Sequence, residues 1–141
     1  ALFRTLVKID VGVMMLRDWL AVAIGGMIGS TARYGLVLAF AAIAPKYLPL
    51  ATLTANAVGC FAMGVVSQLA VQHWDSQAWW VVGIRVGLLG GLTTFSSFAL
   101  DVVQAWETGK GGGWLLLVVA HCVLGTLALV AGMWLVGRAD S

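Results

Sequence analysis

The sequence predicts an all-α membrane protein with four transmembrane helices. Of its 141 residues, 61% are hydrophobic and 10% are charged, whereas about a quarter of the residues in soluble domains are charged. A membrane-spanning helix needs about 20 consecutive apolar residues, and the charged positions leave four such stretches. The composition excludes an ordinary soluble enzyme. A net charge of +2 with scattered basic residues also argues against a nucleic-acid partner.

Four spans are expected within a transmembrane domain at residues 15–141, at about residues 19–44, 50–72, 78–105 and 113–137. The second and fourth contain no Asp, Glu, Lys or Arg. The first carries Arg33 and the third Arg85, and we expect both side chains to be buried or interfacial. Residues 1–14 are read as an interfacial or disordered tail, or as an artefact of start-site choice.

Basic residues are balanced across the membrane. With four spans, Arg17 and Arg138 face one side, and Lys46 and Lys110 face the other. The two basic residues of the tail, Arg4 and Lys8, would add to the side of Arg17 and Arg138 and break this tie. Because the positive-inside rule then selects no orientation, the sequence predicts dual topology and antiparallel pairing of two copies as a homodimer.

The first span carries a small-residue face that includes a charge. Gly25, Gly29 and Arg33 follow one another at intervals of four residues and therefore share one helical face. The two glycines favour close helix packing. Arg33 either faces a water-filled vestibule or an internal partner, or its side chain extends to the nearer membrane surface.

In the second span, Thr52, Asn56 and Gly59 lie on one face. Asn56 is the only amide well inside a span. It either forms an interhelical hydrogen bond or lines a path for a polar solute.

The third span is predicted to be broken within residues 87–98, because paired glycines are followed by paired threonines. Carbonyls freed inside a membrane must be buried or must coordinate something, and carbonyl oxygens suit a hard cation such as sodium. Beyond the break, Thr94, Ser97 and Asp101 form a polar face. Phe95 and Phe98 form an aromatic face, which by itself is typical of lipid or core packing.

The fourth span offers His121, Cys122 and Thr126 as polar residues. A helix contact is favoured for His121 over a proton relay, because the span contains no acidic neighbour. Cys60 and Cys122 both lie in apolar runs, so neither a disulfide nor a thiolate metal site is expected.

Three segments closely resemble the fluoride channels of the Fluc or CrcB family: GGMIGSTARY at 25–34, TLTANAVG at 52–59 and GLLGGLTTFSSF at 87–98. The resemblance covers about residues 15–138. It implies a passive fluoride channel of the cell membrane that exports fluoride from the cytoplasm. It also implies an antiparallel homodimer with two pores and a structural sodium ion at its centre.

By this resemblance, eight residues are assigned to the fluoride pore: Asn56, Phe95, Phe98, Ser96, Ser97, Thr52, Arg33 and Asp101. Phe95 and Phe98 match the family's pore aromatics, Asn56 its pore amide, and Ser96 and Ser97 its hydroxyl track. Fluoride is strongly hydrated, so a pore must replace its water with hydrogen-bond donors and positive ring edges. Neutral donors bind the anion weakly enough for it to leave.

The resemblance also implies a sodium site and a vestibule. Gly90 and Thr93 match the donors of the sodium-binding carbonyls, and Arg33 matches the vestibule arginine. Asp101 stands where the family commonly has Glu, and Thr52 matches the threonine near it.

The match is incomplete elsewhere. Val118 and Cys122 stand where members often carry polar residues, and no family role is assigned to Arg85. One alternative is a small proton-coupled cation or drug antiporter, for which Asp101 is the only in-span carboxylate. Another is a non-conducting regulatory subunit. The sequence contains no catalytic dyad, metal cluster or nucleotide-binding loop, so an enzyme is not expected.

Overall fold

The computed structural model describes residues 16–109 and 111–139, so the predicted tail at residues 1–14 lies outside the described residues. Every regular element within them is helical. In chain order these are α1 (Leu16–Ile43), a 3-10 turn (Pro45–Tyr47), α2 (Pro49–Gln72), α3 (Trp79–Val82), a π-helix (Gly83–Leu89), α4 (Gly90–Leu92), α5 (Phe95–Glu107) and α6 (Gly113–Ala139).

The predicted four spans are confirmed. Four helical segments are long and apolar enough to cross a membrane, and the third of them, Trp79–Glu107, is assembled from α3, the π-helix, α4 and α5. Pro49 occupies the first turn of α2, where its missing N–H needs no partner. Gly109 and Gly112 adopt φ values of 63° and 75° in the turn before α6, a conformation that glycine adopts without steric cost.

α1 packs backbone to backbone against residues 79–92. A Cβ atom on Gly29 would overlap the carbonyl oxygen of Leu88, and one on Gly87 would lie 2.7 Å from the carbonyl oxygen of Val22. The predicted role of Gly25 and Gly29 in close packing is therefore confirmed. Because glycines on both sides permit this approach, α1 fixes the first half of the third span.

α2 and α6 form a second close pair. A Cβ atom on Gly64 would overlap the carbonyl oxygen of Leu129, and one on Gly132 would overlap that of Phe61. α5 packs against both α2 and α6. The second half of the third span therefore leaves α1 and joins the other helix pair.

The π-helix was not predicted. The N–H of Gly90 donates to the carbonyl oxygen of Arg85, five residues earlier. Such wide turns insert an extra residue and are frequent at functional sites. In this chain only the short α4 separates the wide turns from the break.

Aromatic side chains mark the ends of the spans, as an interfacial belt predicts. Trp74 and Trp80 lie with ring centroids 4.8 Å apart at the turn between the second and third spans. Trp106 and Trp114 lie 5.2 Å apart across the last turn.

Candidate functional site

The third span is interrupted at two threonines, as predicted. Thr93 (φ −82°, ψ 150°) and Thr94 (φ −150°, ψ 122°) are both extended. The N–H and the hydroxyl of Thr93 each donate to the carbonyl oxygen of Leu89, at 3.0 Å. A new helix, α5, then begins at Phe95 in the middle of the span.

Asn56 of α2 supports the extended segment. Its Nδ2 donates to the carbonyl oxygen of Thr94 at 3.0 Å, and its Oδ1 accepts the N–H of Thr94 at 2.7 Å. The side-chain amide thus replaces both helical partners of one residue. Of the two roles left open for Asn56, the interhelical hydrogen bond is present. An amide carries two N–H donors, so one donor remains beyond this pair.

The side chain of Thr94 caps α5. Its Oγ1 accepts the N–H of Ser97 at 3.2 Å and lies 3.2 Å from Oγ of Ser96 and 3.3 Å from Oγ of Ser97. The first N–H groups of a helix lack intrahelical acceptors and carry the positive end of the helix dipole. Three hydroxyls therefore cluster at a positive helix end at membrane depth.

Carbonyls on the other side of the break have lost their helical donors. The carbonyl oxygen of Gly91 accepts from Nε of Arg33 at 3.3 Å and from Oγ of Ser30 at 3.5 Å. Arg33 therefore has an internal partner, one of its expected alternatives. Within the described residues, no hydrogen bond outside the regular helical pattern reaches the carbonyl oxygens of Gly90 or Thr93.

The two phenylalanines of α5 lie next to the break. Phe95 is 78% exposed. Its ring meets that of Phe98 edge to face, with centroids 5.4 Å apart and an interplanar angle of 67°. On its other side, Phe98 lies against His121 of α6, with centroids 4.4 Å apart and planes tilted by 34°.

These residues border a groove of about 370 Å³. α2, the break, α5 and α6 line it with Asn56, Gly59, Cys60, Met63, Thr93, Thr94, Phe95, Phe98, His121, Cys122, Gly125 and Leu129.

The groove brings together only part of the set assigned from the sequence. Asn56, Thr93, Phe95 and Phe98 line it. The residues assigned from the sequence that do not line it are Thr52, Ser96, Ser97, Arg33, Asp101 and Gly90.

The lining residues to which sequence reasoning gave no site role include Cys60, Met63, His121 and Cys122. The available signal was spacing: Cys60 lies four residues after Asn56 and therefore on the same face of α2. On α6 the corresponding signal was the pair Gly125 and Gly132, which lie seven residues apart on one face and meet α2.

Three polar atoms are buried without a hydrogen-bond partner among the described residues: Nε of Arg85, Oδ2 of Asp101 and Nε2 of His121. The same residues include no cluster of three or more His, Cys, Asp or Glu that could hold a metal.

Comparisons with known proteins identify the family of the chain. Residues 20–133 match the family described as CrcB-like protein, Camphor Resistance (CrcB). A protein of Paracoccus denitrificans named fluoride-specific ion channel FluC is 40% identical over 124 residues, covering 88% of this chain and 97% of its own length. A protein of the same name from Saccharophagus degradans is 38% identical, over 82% of this chain and 86% of its own length. Another, from Escherichia coli K12, is 41% identical, over 86% of this chain and 94% of its own length.

These relatives are ion channels by name, which confirms the prediction that the chain is not an enzyme. Together with the four spans they place the chain in the cell membrane as a multi-pass protein. The matched range includes the glycine pairs, the break and the groove. The chain belongs to the CrcB-like family.

Proposed function

We propose that the protein is a passive, fluoride-selective channel that exports fluoride from the cytoplasm. The observation that carries this proposal is the interrupted third span, whose polar break opens onto a groove lined by Asn56 and Phe98. The names of the relatives support fluoride as the conducted ion.

The groove has the chemistry that a hydrated anion requires. It offers the second N–H of Asn56 and the rings of Phe95 and Phe98, and none of the carboxylates that the structure describes lines it. The positive end of α5 lies beside it, and helix N-termini attract anions. All of these groups are neutral, so the anion gains hydrogen bonds without being trapped by a full positive charge.

The antiporter alternative needs a carboxylate in the transport path, where it would exchange protons for a cation. Asp101 does not line the groove. The polar groups of the break and the Asn56 amide beside the groove also argue against a non-conducting subunit, which has no need for polar groups at membrane depth.

The conducting form proposed here is an antiparallel homodimer of dual topology. Gly90 and Ser96, on either side of the break, are exposed on the surface of a single chain. Polar backbone cannot face lipid at this depth, so a second copy is the simplest cover. The balanced basic residues allow both orientations. Accessibility labelling of a C-terminal tag should detect both orientations, and a single one would contradict dual topology.

We further propose that carbonyls of Gly90 and Thr93 from both copies hold a structural sodium ion. Both carbonyls precede or lie in the break, and no described donor beyond the regular helical pattern satisfies them. Hard cations prefer such oxygen ligands. A bound sodium ion would neutralise the carbonyl dipoles that otherwise meet at the dimer centre.

The experiment that tests the proposed function is ion efflux from proteoliposomes containing the purified protein. Fluoride is expected to leave rapidly, whereas chloride at equal concentration stays inside. Protein-free liposomes provide the baseline. Equal fluoride and chloride rates would contradict selectivity, and fluoride efflux at the baseline rate would contradict the channel itself.

A further inference from the structure

His121 is held in one tautomer beside the groove. Its Nδ1 lies 3.0 Å from the carbonyl oxygen of Leu117. A carbonyl only accepts hydrogen bonds, so Nδ1 carries the hydrogen and Nε2 carries the lone pair of the neutral ring. Nε2 is buried and has no hydrogen-bond partner among the described residues. The only place for an additional proton on this ring is therefore Nε2.

We propose that His121 is a positioning residue for Phe98, and that its protonation at Nε2 strengthens anion binding at the edge of the Phe98 ring. This inference rests on the proposed function. Because Nε2 is covered, His121 acts through the Phe98 ring rather than by touching the anion.

The ring geometry supports this indirect role. His121 lies against one face of Phe98 at a centroid distance of 4.4 Å, with the planes tilted by only 34°. An imidazolium in this position forms a cation–π contact with that face. The contact draws π-electron density toward the cation, so the ring edge, which is already positive, becomes more positive toward an anion. The cation and the anion also attract each other across the ring.

The titratable groups around His121 are few. The elements packed against α6 are α2 and α5. α2 contributes Cys60 and α6 contributes Cys122, and both line the groove. α5 contributes Asp101, one turn beyond Phe98, whose Oδ2 is buried and has no described hydrogen-bond partner, His121 included. No described acceptor binds a proton on Nε2, so an anion in the groove is available as its counter-charge.

Proton and fluoride binding are therefore linked. If protonation of His121 favours the anion, the anion must favour protonation of His121 by the same factor. The linkage can be measured both by flux and by the state of the histidine.

The flux test compares pH profiles at subsaturating fluoride. Wild-type efflux should be about fivefold faster at acidic than at alkaline pH, the size expected of a cation–π contact in a partly covered site. His121→Phe keeps a ring against Phe98 but cannot titrate, so its profile should be flat. His73→Gln removes the chain's only other histidine and should keep the wild-type profile. Protein-free liposomes correct for the leak of HF, which grows at low pH.

A second measurement does not depend on any His121 variant. In the His73→Gln background His121 is the only histidine, and its ¹⁵N resonances report protonation of Nε2. At fixed pH and ionic strength, fluoride should increase the imidazolium fraction and chloride should not.

The outcomes separate the two proposals. The role of His121 would be overturned if wild type and His121→Phe showed fluoride efflux with identical pH profiles. It would also be overturned if fluoride left the ¹⁵N resonances unchanged. Either result would leave the proposed channel function intact. Fluoride efflux no faster than from protein-free liposomes at every pH would overturn both the proposed channel function and the role of His121.

Discussion

The two halves of the third span differ in how they are held and in what they expose. Residues 79–92 lie against α1 at backbone contact, and Val81, Gly83, Gly87 and Leu89 are buried there. α5 buries none of its residues fully and presents Phe95, Ser96 and Leu100 at the surface of the chain. The first half of this span is thus a buried support, and the second half is an exposed site.

The difference indicates how a short chain builds a polar site inside a membrane. A broken helix is tolerated only if the freed backbone groups find partners. The first half is immobilised by glycine contacts, and Asn56, Arg33 and the Thr94 hydroxyl satisfy groups at the break. The second half is then free to present its rings and hydroxyls.

The largest expected effect comes from breaking the support. In Gly29→Ala the new Cβ would overlap the carbonyl oxygen of Leu88, which is backbone and cannot turn aside. We expect a loss of roughly 3 kcal/mol or more, seen as loss of monodisperse protein by size exclusion. Gly26→Ala is the matched control, because no atom lies within 4 Å of its Cβ position. Equal behaviour of the two variants would contradict backbone contact between α1 and the third span.

The next effect comes from removing the support of the break. Asn56→Asp replaces the donor to the Thr94 carbonyl by an oxygen, so two acceptors meet at about the present 3.0 Å. The unsatisfied carbonyl should cost about 1 to 3 kcal/mol, measured as a lower thermal midpoint in detergent. Gln72→Glu makes the same chemical change at the exposed end of α2 and should leave the midpoint unchanged.

A lower thermal midpoint in Asn56→Asp would also affect the interpretation of its fluoride efflux. The substitution places a carboxylate beside the anion path and, at the same time, disturbs the break. A normal midpoint combined with lost flux would assign Asn56 to conduction alone and would contradict its structural role.

The open half is tested by Phe98→Ile, which keeps an apolar side chain but removes the positive ring edge. If Phe98 binds the anion, fluoride efflux should fall about tenfold or more, which corresponds to about 1.4 kcal/mol, while size exclusion stays normal. Phe61→Ile on α2 is the control, since Phe61 does not line the groove. Wild-type efflux in Phe98→Ile would remove this ring from the path.

The smallest effect is expected at the cap of α5. Thr94→Val removes the hydroxyl that accepts the N–H of Ser97 and should lower the free energy of unfolding by about 1 kcal/mol. Thr94→Ser retains the hydroxyl and should keep the wild-type thermal midpoint. A midpoint in Thr94→Val as high as in Thr94→Ser would show that the cap does not stabilise the break.

Local chemistry made several features predictable. The glycines of α1 and the interruption at residues 93–94 followed from residue type and spacing, because small residues permit close packing and two β-branched threonines after paired glycines weaken a helix. Of the two roles left open for Asn56, the interhelical hydrogen bond was found. Its partner was not predictable, since Thr94 lies 38 residues away in sequence.

The features that sequence reasoning missed either lack a local signal or depend on contacts between distant segments. The π-helix has no distinct local signal, because Gly83–Leu89 reads as an ordinary apolar helix. His121 has no role until α6 is placed against α5, where its ring meets Phe98. Cys60 and Met63 likewise acquire a place only when α2 and α6 meet.

The sequence by itself determined the membrane class, the four spans, the glycine contacts and the interruption, because each depends on composition or on spacing within one helix. The tertiary structure alone decided where the second half of the third span goes, which side chains share the groove, and which polar atoms are left without partners. The physical reason is that a helix's own residues set its length and its faces, whereas the rotation at which two helices meet is set by packing between them.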